Sequence, residues 1–147
     1  MPVTKATASW EGTLKEGKGV MKLPSGSFEG PYSFVSRFER GAGPDTGTSP
    51  EELLAAAHAG CYSMALSARL TNAGFPPVRV DSEARITMES VDGGMSITKS
   101  HLVVKANVPG LGEAAFQEHA ASAKTGCPVS RALAALQITL EATLVSA

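Results

Sequence analysis

The run TSPEELLAAAHAGCYSMALSARL, Thr48 to Leu70, constrains the fold of this chain more than any other stretch. Its start carries the signals of a helix N-terminus. Ser49 can serve as the N-cap, Pro50 fits the first helical position, and Glu52 completes a capping box. After Leu54 the residues are apolar or small on almost every side. Because a surface helix has one apolar stripe, we expect this helix to be buried on all sides.

Composition limits the classes of protein that this chain can represent. With 147 residues, 43% of them hydrophobic, we expect one domain spanning 1–147 with a sizeable core. The 13 basic and 14 acidic residues are scattered, which argues against a nucleic-acid partner. The apolar segment Leu53–Ala68 is shorter than the roughly 18 to 20 residues of a membrane span. No apolar leader opens the sequence, so we predict a cytoplasmic protein without membrane association.

Periodicity and turn residues predict the order βββ-α-ββ-αα-β. Strands are predicted at Val3–Trp10, Lys18–Leu23, Phe28–Glu39, Val78–Ser90, Ile97–Val108 and Ile138–Val145. The long helix is expected to end near Asn72, and two further helices are expected at about Gly112–Lys124 and Pro128–Leu136. The turn VDGG, Val91 to Gly94, predicts a hairpin. This order indicates an α+β fold with mostly antiparallel sheets.

The long helix also predicts an assembly. A sheet with one apolar face covers only one side of a helix, so the other side must meet a second sheet, a second helix or a second subunit. We therefore expect a homodimer with its central helices packed inside.

The two cysteines are the strongest candidates for chemistry, because stabilising disulfides are rare in the cytoplasm. Cys127 follows Gly126 and precedes Pro128, which predicts a helix N-cap position and a lowered pKa. Cys61 lies inside the apolar helix, where burial raises the pKa of a thiol unless a cation approaches. The residues alone thus favour Cys127 as the reactive thiol. Arg37 is the best candidate for a cation beside Cys61, although the residues alone favour a solvent-facing strand position for it.

Five segments of the chain resemble the OsmC branch of the OsmC/Ohr organic hydroperoxide reductases. They are WEG with KEGKG, PYSFVSRFE, GTSPEELLAAAHAGCYSMALS, the VDGG–ITKS hairpin, and KTGCPVS. The two cysteine segments at this separation are the most specific. Departures are small: Ser49 replaces the usual Asn, Gly60 replaces the commoner Ala, and the loop from Arg40 to Thr48 is longer than typical. Arg37 matches the OsmC placement, whereas the Ohr branch carries its arginine nearer the N-terminus.

That resemblance implies a peroxidase of organic hydroperoxides in which Cys61 is peroxidatic and Cys127 is resolving. A sulfenic acid and a Cys61–Cys127 disulfide would be its intermediates. Arg37 and Glu51 would lie beside the thiolate. The resemblance further implies an intertwined homodimer with two interface sites, no metal or prosthetic group, and a lipoyl-type dithiol or small thiol as reductant.

Three side chains near these cysteines need separate interpretation. Glu52 is assigned to the helix cap, which leaves Glu51 free to pair with Arg37. Glu51 precedes Cys61 by ten residues, roughly 15 Å of helix, so it would act through Arg37 or on the partner subunit's site. His58 lies one turn before Cys61 and could be its base, but we prefer a hydrogen-bonded core histidine.

Two other classes of function remain open on the sequence. A hot-dog-like acyl-thioester hydrolase also wraps a sheet around a long helix, but it would not depend on thiols. A dimeric ligand-binding or redox-sensing protein could use the same apolar pocket without turnover. A zinc site is disfavoured because no CxxC or HxxxH spacing occurs. The residues concerned are Cys61, Cys127, His58, His101 and His119.

Overall fold

A computed structural model describes residues 1–145. In chain order the elements are β1 (Thr7–Glu11), β2 (Lys18–Leu23), β3 (Phe28–Tyr32), a π-helical segment (Val35–Glu39), α1 (Pro50–Asn72), β4 (Arg79–Val91), β5 (Gly94–Asn107), α2 (Glu113–Gly126), α3 (Pro128–Ala132) and β6 (Gln137–Val145). The α+β class and the mostly antiparallel pairing predicted from the sequence are confirmed. The chain forms two compact units, residues 1–53 and residue 54 onward. A single domain over 1–147 stays a prediction.

The first unit contains a three-stranded antiparallel sheet in the order β1-β2-β3. The prediction that the third strand continues to Glu39 is wrong, since β3 ends at Tyr32. Ser33 and Ser36 exchange backbone-to-hydroxyl hydrogen bonds of 2.9 and 3.2 Å. Such reciprocal bonds start a helical turn in place of a strand ladder. The backbone N–H of Arg40 then donates to the carbonyl of Val35, the spacing of a π-helix.

The second unit is built on the hairpin of β4 and β5. Asp92 and Gly93 have φ values of 49° and 81° and form its two-residue turn, as the VDGG motif predicts. β6 then pairs with β5 in parallel, which makes β5 the central strand of the order β4-β5-β6. A parallel pair requires a crossover connection, and α2 and α3 provide it.

The core of the second unit lies between this sheet, α1 and α2. Alternate residues of β5 point to one face and are buried, as the period of a strand requires. On α1 the buried residues recur every four positions, which is the spacing of one helix face. The fully buried apolar members of this core include Tyr62, Leu66, Leu70, Leu102, Val104, Ala106, Phe116 and Ala123.

Helix α1 differs from the expectation of burial on all sides. Its opposite face carries an exposed stripe of Ala56, Gly60, Met64 and Ala68, and Met64 is 76% exposed. The physical reason is that the sheet and α2 cover one side of the helix within the chain. None of the helices among residues 1–145 combines the length and hydropathy needed to cross a membrane.

Candidate active site

Cys61 and Cys127 come together in the second unit. Cys61 lies in the middle of α1, and Cys127 lies at the junction of α2 and α3. Both are free cysteines, and each thiol shifts the pKa of the other, so the two side chains lie close together. Cys127 is fully buried, whereas Cys61 is only partly buried. The two thiols are therefore adjacent, and solvent reaches only Cys61.

The local sequence explains how Cys127 is held. Its backbone N–H donates to the carbonyl of Ala123 at 3.0 Å and ends α2, while its own carbonyl accepts from Arg131 at 3.0 Å and starts α3. Pro128 occupies the first position of α3, where a missing N–H is harmless. The N-cap position predicted for Cys127 from the motif GCPVS is confirmed.

The two thiols have pKa values that move in opposite directions. Burial opposes ionisation of Cys127, but the hydrogen bond from Cys61, together with the backbone and side chain of Ser130 and the backbone of Val129, holds the pKa of Cys127 below its ordinary value. Burial, followed by the hydrogen bond with Cys127, raises the pKa of Cys61. Within this unit Cys127 is thus the more acidic thiol, as the argument from helix capping predicts.

His58 is completely buried one turn before Cys61. Its Nδ1 lies 2.7 Å from Ser100 Oγ, and its Nε2 lies 2.7 Å from Ser130 Oγ. Burial lowers the pKa of His58, so the ring is neutral near pH 7. The prediction of a hydrogen-bonded core histidine agrees with this geometry.

Arg37 and Glu51 form an ion pair within the first unit. Arg37 Nη2 lies 3.0 Å and Nε 3.1 Å from the same oxygen, Oε1 of Glu51. The guanidinium also lies over the ring of Phe38, with 5.1 Å from Cζ to the ring centroid. The interpretation of Arg37 as a strand residue is wrong, because it lies in the π-helical segment. The π-helical segment places Arg37 beside the first turn of α1, which contains Glu51.

Glu52 caps the helix differently from a full capping box. Its backbone N–H donates to Ser49 Oγ at 3.1 Å, which confirms Ser49 as the N-cap. Its carboxylate, however, accepts a hydrogen bond from Thr48 Oγ1 at 2.7 Å, so the return bond to the Ser49 backbone is replaced. The assignment of Glu52 to the cap and Glu51 to Arg37 agrees with these contacts.

Two groups of residues were missed by the sequence interpretation. Ser100 and Ser130 each lie within hydrogen-bond distance of a ring nitrogen of His58. For Ser130 the sequence offers one clue, since a residue three positions after an N-cap points its side chain back toward that cap. The second group lines a cavity of about 200 Å³ in the first unit. Its lining residues are Trp10, Leu14, Tyr32, Ser33, Phe34, Arg37 and Phe38. This cavity is mostly aromatic and has one cation in its wall.

No cluster of three or more His, Cys, Asp or Glu side chains suited to a metal ion occurs among residues 1–145.

Comparison with known proteins identifies the family. The sequence model of the OsmC-like protein family matches residues 43–141. Peroxiredoxin OsmC of Escherichia coli strain K12 is 46% identical over 143 residues, which cover 97% of this chain and 96% of that protein. Peroxiredoxin OsmC of Shigella flexneri matches equally well. The chain belongs to the OsmC family, and the resemblance found from its sequence is confirmed.

Solved structures agree on the fold. An OsmC-like protein of Mycoplasma pneumoniae has a TM-score of 0.72 at 17% identity, covering 98% of each chain. The organic hydroperoxide resistance protein OhrB of Bacillus subtilis has a TM-score of 0.67 at 23% identity, covering 96% of this chain and 98% of its own. At these identities the likeness shows the fold alone.

Proposed function

We propose that this chain reduces organic hydroperoxides to alcohols, and hydrogen peroxide less efficiently, with Cys61 as the peroxidatic thiol and Cys127 as the resolving thiol. The peroxidase class follows from the family and from 46% identity to a peroxiredoxin over 97% of the chain. The observation that carries the mechanism is the proximity of two free thiols of unequal exposure.

The proposed reaction has three balanced steps. The Cys61 sulfur takes the distal oxygen of the hydroperoxide, so that the thiol becomes a sulfenic acid and an alcohol leaves. The Cys127 thiolate then attacks the Cys61 sulfur, which forms the disulfide and releases the sulfenic oxygen as hydroxide, and a proton from solvent converts the hydroxide to water. An external dithiol reduces the disulfide and is itself oxidised to a disulfide.

Exposure decides which thiol meets the peroxide. Cys61 is partly accessible, whereas Cys127 is fully buried behind it. The lower pKa of Cys127 suits the second step, because a resolving thiolate must be ready once the sulfenic acid forms. Cys61 has a raised pKa within its own unit and needs a cation to ionise near neutrality. We assign that function to Arg37, with Glu51 as its orienting partner.

The surroundings of Arg37 support an organic substrate. The cavity of about 200 Å³ has walls mainly of aromatic and aliphatic side chains, which favour an alkyl or aryl group over the small polar hydrogen peroxide. Arg37 itself is only partly tied to Glu51, since its Nη1 makes no hydrogen bond to that carboxylate. The guanidinium therefore keeps a donor for a peroxide oxygen.

We also propose that the working form is a homodimer. The stripe of Ala56, Gly60, Met64 and Ala68 leaves the apolar face of α1 open to solvent in one chain. Small residues at a four-residue spacing allow a second copy of the same helix to approach closely. The single OsmC-like domain of 1–147 would then be completed by its partner.

The reductant is proposed to be a dithiol of the lipoyl type or a small thiol. A reducing compartment keeps both cysteines available between turnovers, which suits the cytoplasm as the location. Thiol-disulfide exchange would begin at Cys61, the accessible sulfur of the disulfide, and release Cys127 as the leaving thiolate. The low pKa of Cys127 favours that departure.

The test compares wild type with Cys61→Ser and Cys127→Ser for the consumption of an aryl hydroperoxide by a dithiol. We expect no turnover with Cys61→Ser, since the oxygen acceptor is gone. We expect a single turnover with Cys127→Ser, after which mass spectrometry finds Cys61 as sulfenic or higher oxides. Substantial turnover by Cys61→Ser, or an unoxidised Cys61 in the Cys127→Ser protein, would overturn the assignment.

A further inference from the structure

A chain of buried polar groups leads from the central strand to the resolving cysteine. Ser100 on β5, His58 on α1 and Ser130 on α3 are 0%, 0% and 4% exposed. His58 joins the two serines through its two ring nitrogens, at 2.7 Å each. Buried polar groups at such distances form well-defined hydrogen bonds and fix the ring orientation.

Ser130 is placed to act on the sulfur of Cys127. Cys127 is the N-cap of α3, and Ser130 is the third helical residue after it. Side chains at these two positions face each other across the first turn, as in a capping box. No side-chain cap hydrogen bond occurs at Cys127. The Ser130 side chain lies close enough to the sulfur to contribute to the lowered pKa of Cys127.

The number of available protons fixes the direction of the hydrogen bonds from Ser100 through His58 to Ser130. A neutral imidazole has one N–H donor and one acceptor nitrogen, and a serine hydroxyl donates only one proton. If Ser130 donates to the Cys127 sulfur, its oxygen must accept from Nε2–H of His58. Nδ1 must then accept the hydroxyl proton of Ser100. This is the one arrangement that satisfies all three groups while a thiolate is present.

We propose that His58 and Ser130 are positioning residues for Cys127, with Ser130 donating a hydrogen bond to the sulfur and His58 orienting the Ser130 hydroxyl. The catalytic consequence rests on the proposed role of Cys127 as the resolving thiol. In that role a held thiolate attacks the sulfenic acid of Cys61, whose oxygen leaves as water. The same hydrogen bond stabilises Cys127 as leaving group when the disulfide is reduced.

Other titratable and charged groups near Cys127 are few. Cys61 and Tyr62 face it from α1, and the charge at Cys127 adds to burial in raising the pKa of Tyr62. Lys124 on α2 and Arg131 on α3 line an open depression that also includes Ser130. Both charged side chains are left in place by the variants below, so a change in thiol pKa reports on the serine–histidine chain.

The experiment measures the pKa of the Cys127 thiol from the pH dependence of its alkylation, in a Cys61→Ser background. We expect Ser130→Ala to raise this pKa by about one unit, or about tenfold less thiolate near pH 7. Ser130→Thr should restore most of it, because the hydroxyl remains. His58→Gln should give a smaller rise. Ser82→Ala is the matched control. It removes a serine hydroxyl on β4 that accepts a 2.7 Å hydrogen bond from Ser63 of α1 and takes no part in the contacts of His58.

An unchanged pKa in folded Ser130→Ala would overturn the proposal. If His58 variants fail to fold, nitrogen NMR of the wild-type protein can identify the tautomer of His58. We expect the proton on Nε2, and a proton on Nδ1 alone would contradict the proposed direction of the hydrogen bonds. With both cysteines present, Ser130→Ala should accumulate the Cys61 sulfenic acid about tenfold longer. Should Cys127 prove not to be the resolving thiol, that delay would be absent while the pKa shift stayed, so the two failures are distinguishable.

Discussion

Arg37 places two of its nitrogens on one oxygen of Glu51, with Nη2 at 3.0 Å and Nε at 3.1 Å from Oε1. The second carboxylate oxygen, Oε2, is buried and has no hydrogen-bond partner among residues 1–145. A buried carboxylate oxygen without a donor is costly unless the working site supplies one. On the proposed function, the hydroxyl of a bound hydroperoxide would be such a donor. We therefore expect Arg37 and Glu51 to act together.

The first prediction concerns the cation. At pH 7 the rate of Cys61 with an aryl hydroperoxide should fall from wild type to Arg37→Lys to Arg37→Ala, with the pKa of the Cys61 thiol rising in the same order. Lysine keeps the charge but loses the planar fork that grips Glu51. If Arg37 supplies the cation as proposed, Arg37→Ala should raise the thiol pKa by about one to three units. Stopped-flow rates from pH 6 to 10 measure both quantities.

Arg37→Ala should recover part of its rate at high pH, where Cys61 ionises without help. Arg79→Ala is the control, because Arg79 forms a highly exposed ion pair with Asp81. An Arg37→Ala protein with normal rate and thiol pKa would show that Arg37 is not the cation. The remaining candidates for the cation beside Cys61 would then be Arg40, Lys124 and Arg131.

The second prediction concerns assembly. Light scattering at micromolar concentration should give the mass of a dimer for wild type. Met64→Glu, on the exposed stripe of α1, should raise the dimer dissociation constant by at least about a hundredfold, because association would bury an unpaired charge. Met95→Glu is the matched control, since Met95 is 56% exposed at the β4–β5 hairpin. A wild-type monomer would contradict the prediction.

The third prediction is a pH dependence of stability that comes from His58. Burial lowers the pKa of His58 in the folded state, while the unfolded chain has a pKa near about 6.5. Below that value the unfolded state binds a proton that the folded state does not. The free energy of unfolding should therefore fall by up to about 1.4 kcal/mol per pH unit as pH drops from about 6.5.

Urea unfolding at pH 7.5, 6.5 and 5.5 measures this slope. His58→Gln should lower stability at every pH but flatten the slope, because no titrating group remains at that position. Ser122→Ala, a substitution on α2 that changes no titratable group, should keep the slope of the wild type. Equal slopes in wild type and His58→Gln would remove His58 as the cause.

The fourth prediction concerns the loop that leads into α1. Gly47 has a φ of +94°, and a Cβ added there would clash with the Pro31 carbonyl oxygen. Gly26 has a similar φ of +84° but open space around it. Gly26→Ala should thus cost about 1 kcal/mol of stability from backbone strain alone, and Gly47→Ala clearly more. Equal losses in urea unfolding would show that the contact with Pro31 relaxes freely.

Sequence alone determined the features that depend on neighbours along the chain. Helix α1 follows from its cap and its long apolar run, and it ends at Asn72 as expected. The β4–β5 hairpin follows from the residues with positive φ in its turn. The N-cap position of Cys127 follows from the Gly before it and the Pro after it. Each of these depends on local dihedral preferences and on backbone groups a few residues apart.

Only the tertiary structure decided which distant groups meet. The apolar neighbours of Arg37 predict a strand, but reciprocal hydrogen bonds between Ser33 and Ser36 start a π-helical segment instead. The chain through Ser100, His58 and Ser130 joins a strand and two helices, and no spacing along the sequence encodes that meeting. Long-range packing sets these contacts, so the serine partners of His58 and the proximity of Cys61 to Cys127 could be stated only once the fold was known.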